Sequence, residues 1–134
     1  MNKDIIFHKV EDVAIAIVAE TNEPGAEIWN AYLLNLKKDP IETVLVSTKG
    51  YGTIEERKVK TSMLRHLLGN IEGGGFKLIE PIDKKLFSIS NEFLVSFWYK
   101  GAMYDKKYVF VTESIIQSNF INIPLINKKG VMIK

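Results

Sequence analysis

The sequence predicts an all-β protein, a single antiparallel β-sandwich domain spanning residues 1–134. Three observations predict it. Apolar residues recur with a period of two along most of the chain, turn-forming residues interrupt that pattern about every 8 to 15 residues, and no long segment carries a persuasive helical stripe. A chain of 134 residues with 46% hydrophobic content is long enough to bury one core and too short for a large multidomain enzyme.

From Asp12 to Glu20, Val13, Ile15 and Ile17 fall on one face and Ala14, Ala16 and Val18 on the other, the pattern of a strand covered on both sides. From Glu27 to Leu36 the alternation continues through Ile28, Trp29, Tyr32 and Leu34. Lys37-Lys38-Asp39-Pro40 then interrupts as a turn, and Ile41 to Lys49 follows as the next strand. Gly50-Tyr51-Gly52 is expected to end it, and the charged run Glu55 to Lys60 to form a solvated loop. Thr61 to Asn70 is ambiguous between strand and helix. Its neighbours favour strand, with Gly73-Gly74-Gly75 as the turn into Phe76 to Pro81.

Leu86 to Ile89 reads as a short strand or an irregular turn. Asn91 to Tyr99 is the clearest strand, because Phe93, Val95, Phe97 and Tyr99 share one face and suit a pleated, half-buried surface. If that face is the core, Leu94, Ser96, Trp98 and Lys100 point outward. The turn from Lys100 to Lys106 leads into Lys107 to Val111 as a hairpin. Thr112 or Ser114 is placed to cap a short helical turn through Ile115, Ile116 and Phe120. The N-terminal segment 1–10 and the tail 121–134 are expected to be extended or frayed. About seven strands of this kind suggest an immunoglobulin/fibronectin III-like sandwich, with an up-and-down barrel as the alternative.

The 18 Lys plus Arg against 16 Asp plus Glu leave a net charge of +2, short of the clustered excess of a dedicated nucleic-acid binder. No cysteine is present, which excludes disulfides, thiolate metal sites and cysteine nucleophiles. No signal-peptide apolar segment is visible near the N-terminus. The longest apolar stretch, Val13 to Ala19, is far below the roughly 20 residues of a spanning helix, so a cytoplasmic, soluble protein without membrane contact is expected.

His8 and His66 are the only imidazoles, and neither has metal-ligand spacing, so each is expected to be solvated or hydrogen-bonded. The glycines between Gly69 and Gly75 lack the Gly-Lys-Ser/Thr ending of a phosphate loop and read as a flexible turn. Pairing of Asp105 with Glu113, or of Glu42 with Glu80, would need the fold to bring them together. No catalytic residue, metal or cofactor is therefore assigned. The better lead is aromatic residues interspersed with cations, which gives a candidate contact surface of Arg65, Trp98, Lys100, Tyr104, Lys106 and Lys107.

The runs Trp29 to Asn35, Pro40 to Gly52, Leu64-Arg65-His66 and Met103 to Phe110 resemble a small uncharacterised bacterial family. Its members often carry the label phenylalanyl-tRNA synthetase subunit alpha, and the resemblance spans most of the chain. Leu64-Arg65-His66 and Gly73-Gly74-Gly75 only faintly match the synthetase motifs, with no Arg after the glycines, so the resemblance implies an accessory module and no catalytic residue. The leading expectation is a non-catalytic module binding a protein partner or forming a homo-oligomer. Its rival is a tRNA or other nucleic-acid-binding accessory using Arg65, Lys106, Lys107 and stacked aromatics. A small hydrolase or ligand-binding protein with a pocket built on His66 and carboxylates is the third reading.

Overall fold

The computed structural model describes residues 8–134, so most of the N-terminal segment considered above lies outside it. The described chain is all-β. Its strands are β1 (Val13–Thr21), β2 (Glu27–Asn35), β3 (Ile41–Ile54), β4 (Arg57–Lys60), β5 (Leu64–Ile71), β6 (Phe76–Pro81), β7 (Ser90–Tyr99), β8 (Ala102–Phe110), β9 (Ile121–Asn122) and β10 (Lys129–Ile133). They form two five-stranded sheets. The first has the order β6-β2-β1-β10-β9; the second runs β4-β3-β7-β8, with β5 also paired to β3. Every strand pairing is antiparallel.

One core lies between the sheets. The first sheet contributes Val13, Ile15, Ile17, Ala31 and Leu33; the second contributes Ile41, Val44, Val46, Phe93, Val95, Phe97, Tyr108 and Phe110. The alternation in β7 falls as expected: Phe93, Val95 and Phe97 are at most 1% exposed, whereas Leu94 and Trp98 are exposed. β1 is covered on both faces as its sequence requires. Ala14, Ala16 and Val18 pack in a second cluster with Leu34 and Ile123, against which Tyr32, Leu36, Ile126 and Met132 also pack. The tail is not frayed but partly extended along the sheet: β10 pairs with β1, and the segment leading to it lies over the outer face of the first sheet.

Several expectations are corrected. The strand starting at Ile41 does not stop at Gly50; it runs to Ile54. Gly50 and Gly52 make room rather than a break, since a Cβ on either would lie 3.0 or 2.9 Å from the side chain of Ile89. The charged run after it is a hairpin whose second arm is β4, because Thr53 and Ile54 continue the ladder to Lys58 and Arg57. Leu86 lies in a 3-10 turn, Lys84–Ser88, whose Asp83 side chain accepts from the Lys85 backbone N–H. A second 3-10 turn, Gln117–Asn119, stands where the capped turn was expected, without a side-chain cap. The segment after Thr61 is strand β5, as its neighbours favoured, and the described residues hold ten strands, against about seven expected.

Asn35, fully buried, fixes one end of the first sheet. Its Nδ2 shares its hydrogens among the carbonyls of Asp39, Ile71 and Glu72 at 2.9 to 3.1 Å, and its Oδ1 accepts from Lys37 N at 3.1 Å. That amide welds the β2–β3 loop to the turn after β5. The two loops approach so closely that a Cβ on Gly73 would stand 2.1 Å from the Lys38 carbonyl oxygen.

Candidate functional site

The outer faces of the two sheets differ. On the first sheet that face is closed by Ile123, Ile126 and their neighbours. Glu20 pins the cover in place: its Oε1 accepts from Asn30 Nδ2 at 2.7 Å and from the Tyr32 hydroxyl at 2.6 Å, and Lys128 Nζ reaches Oε2 at 2.5 Å. Burial pushes the Glu20 carboxyl up, but these three donors together outweigh burial and hold it below its ordinary range.

The outer face of the second sheet is open. Cross-strand register sets Leu67 beside Leu45, Ser47 beside Leu94, and Trp98 beside Met103. All five of these apolar residues are exposed, Leu67 most at 72% and Trp98 at 42%. Around them stand Arg65 opposite Ser47, Lys107 opposite Leu94, Asp105 opposite Ser96 and Glu42 opposite Trp98. Glu92, only 9% exposed, accepts from the Tyr51 hydroxyl at 3.2 Å and lies 3.7 Å from Lys49 and 4.0 Å from Lys107. Burial and the Glu92 carboxylate push the Tyr51 hydroxyl up.

The six-residue contact surface read from the sequence is split by the pleat. Trp98, Arg65 and Lys107 share the open face. Tyr104 and Lys106 occupy the inward side of β8, where Tyr104 stacks parallel to Phe97 at 5.5 Å and Lys106 Nζ lies 4.9 Å from the Tyr108 ring. An inward lysine on an edge strand discourages pairing with a further strand. Lys100 sits in the β7–β8 turn, 3.3 Å from Asp39 Oδ2, and Asp39 pushes its ammonium up. Trp29 is a core residue, 7% exposed and edge-on to Phe87 and Phe120.

His66 is hydrogen-bonded, as one of its two expected environments has it, but its partner lies on the other sheet. Its Nε2 is 2.6 Å from Glu80 Oε1, which also accepts from Thr48 Oγ1 at 2.8 Å. Neither carboxylate pairing weighed from the sequence accounts for Glu80. The carboxylate is the central acceptor here, so the arrangement is not a nucleophile–base–acid relay, in which an imidazole must stand between hydroxyl and carboxylate. Among the described residues no three His, Asp or Glu side chains converge to hold a metal ion. The glycine-rich segment is a turn closed by Gly75 N donating to Glu72 O at 3.0 Å. No helix among the described residues is long and apolar enough to cross a membrane.

Comparison of the chain with protein-family models, curated proteins and solved structures gives no match.

Proposed function

We propose that the chain is a non-catalytic β-sandwich interaction module of immunoglobulin/fibronectin III-like kind that associates with a second copy through the outer face of its second sheet. The observation that carries this reading is the contrast between the two outer faces. One is covered by the chain's own tail, and the other leaves Leu45, Leu67, Leu94, Trp98 and Met103 exposed together. Contiguous apolar exposure marks interaction surfaces, and Trp is the side chain most often found at their energetic centres.

Charge favours a second copy over a polyanion. Arg65 and Lys107 on this face are matched by Glu42 and Asp105, and a face of mixed sign is able to complement itself across a two-fold axis. A nucleic-acid surface needs one sign, and the tRNA-accessory reading suggested by the synthetase-labelled resemblance lacks such a stripe.

Sedimentation equilibrium across the micromolar range tests the proposal. A concentration-dependent dimer that Trp98→Ser or Leu94→Lys returns to monomer is the expected result. A chain that stays monomeric throughout overturns it, and salt-sensitive binding of bulk tRNA by that monomer would replace it with the accessory reading.

A further inference from the structure

The side of the sandwich where β5 and β6 pass from one sheet to the other holds a cleft of about 240 Å³. Glu80 lines it from the first sheet, with Thr48, Thr61 and Ser62 around it and the apolar side chains of Leu64, Leu86 and Phe93 as its walls. The volume lies below the range of drug-sized pockets and suits a small guest.

The partners of Glu80 set it apart. Four carboxylates among the described residues are shielded from full exposure: Glu20, Asp39, Glu80 and Glu92. Glu20 has Lys128, Asp39 has Lys100, and Glu92 has Lys49 and Lys107 within 4.0 Å. Among the described residues Glu80 has no lysine or arginine at that distance, and its partner there is the His66 imidazole. Its two protein donors, Thr48 Oγ1 and His66 Nε2, converge on Oε1, and Oε2 has no hydrogen-bond donor among the described residues. The Glu80 side chain is 18% exposed, so the carboxylate is only partly covered at the cleft. Lys49, at the same cleft, is turned toward Glu92 at 3.7 Å.

The other three carboxylates each take an ammonium from a lysine of the chain, and for Glu80 that kind of donor is left to a guest. We propose that the Glu80 cleft binds a small aliphatic amine, whose ammonium donates to Oε2 while its short carbon stem lies against Leu64, Leu86 and Phe93. An ammonium has three hydrogens to give, and the hydroxyl oxygens of Thr61 and Ser62 line the same cleft. The cleft reaches Lys49 and Glu92 at the margin of the open outer face but none of Leu45, Leu67, Leu94, Trp98 and Met103, so amine binding and self-association draw on different residues.

The test is an NMR amide-shift titration of the whole chain with n-butylamine, with 1-butanol as the uncharged probe of similar shape. Saturable shifts at Thr48, Thr61 and Phe93 are expected, with butylamine about tenfold tighter than butanol, the factor one charge-assisted hydrogen bond supplies. Glu80→Gln keeps an acceptor oxygen for Thr48 and His66 but removes the charge, and is expected to abolish the preference. Equal affinity for both probes, absence of saturation at the cleft, or a preference that survives Glu80→Gln overturns the proposal. The amine-against-alcohol comparison on the unaltered chain decides by itself if the variant fails to fold.

Discussion

The hydroxyl of Tyr108 donates a 2.7 Å hydrogen bond to the carbonyl of Val13, tying the edge strand of one sheet to the first residue of the central strand of the other. Tyr108 is 1% exposed, so its ring fills the core while its one polar atom serves a buried backbone acceptor. Tyr108→Phe keeps the ring and leaves that acceptor without its donor. The expected cost is about 1 to 3 kcal/mol, read as a lower urea midpoint at unchanged slope.

The same burial makes the protein sensitive to alkali. Burial pushes the Tyr108 hydroxyl far above its ordinary value of 10.0. Burial, reinforced by the hydrogen bond to Glu20 and its charge, pushes Tyr32 up to about 12. A group whose pKa is raised on folding contributes stability that is complete below its unfolded pKa and is lost as pH rises through the folded one. On the alkaline side stability is therefore expected to hold up to about pH 10 and to fall from there toward pH 12. Two of the five tyrosines should gain tyrosinate absorbance only as the chain unfolds. Tyr32→Phe should flatten part of this limb, and an unchanged limb in that variant would refute the assignment.

The acid limb has the opposite sign and a different owner. Lys128, Tyr32 and Asn30 hold the Glu20 carboxyl below its ordinary 4.5 despite partial burial. A lowered pKa contributes stability that is present above the unfolded value and lost as pH falls through the folded one. Acid should therefore loosen the tail cover first, since Lys128 ties that cover to Glu20 of the sheet. Glu20→Gln is expected to remove pH dependence below 4.5 and to raise hydrogen exchange at Ile123 and Ile126 already at neutral pH. A variant with wild-type acid sensitivity would contradict this.

What the sequence made legible were features set by local periodicity. The two-sided burial of β1 and the inward row Phe93, Val95 and Phe97 follow from side chains alternating across a strand, so Trp98 on the outer face was legible with them. The pairing of Glu80 with His66 was not, because it joins strands on different sheets, and no spacing in the chain encodes which two sheet edges will face each other. The charge run after Ile54 misled for a related reason: a short edge strand exposed to water has little apolar signal, and only its ladder to β3 identifies it. Among the candidate cations, Lys106 was grouped with Lys107 by proximity in sequence, and the pleat then sent the two to opposite faces.

That hairpin offers the clearest route to a more stable chain. Ile54 pairs with Arg57, and the two residues between them, Glu55 and Glu56, have φ of 50° and 66°. A two-residue connection with both φ positive is the type I′ geometry, which Asn-Gly fills without crowding a Cβ against the next carbonyl. Here two glutamates occupy it side by side, exposed and of like charge. Replacing them by Glu55→Asn together with Glu56→Gly removes both costs. The extra freedom that glycine gives the unfolded chain offsets part of the gain. The net expectation is a stabilisation of about 1 kcal/mol, seen as a rise in Tm of roughly 3 °C. Neither Glu55 nor Glu56 lines the Glu80 cleft or belongs to the apolar set around Trp98, so neither self-association nor amine binding should change with them. A variant no more stable than the original chain would mean that the tip is not under the strain its backbone angles imply.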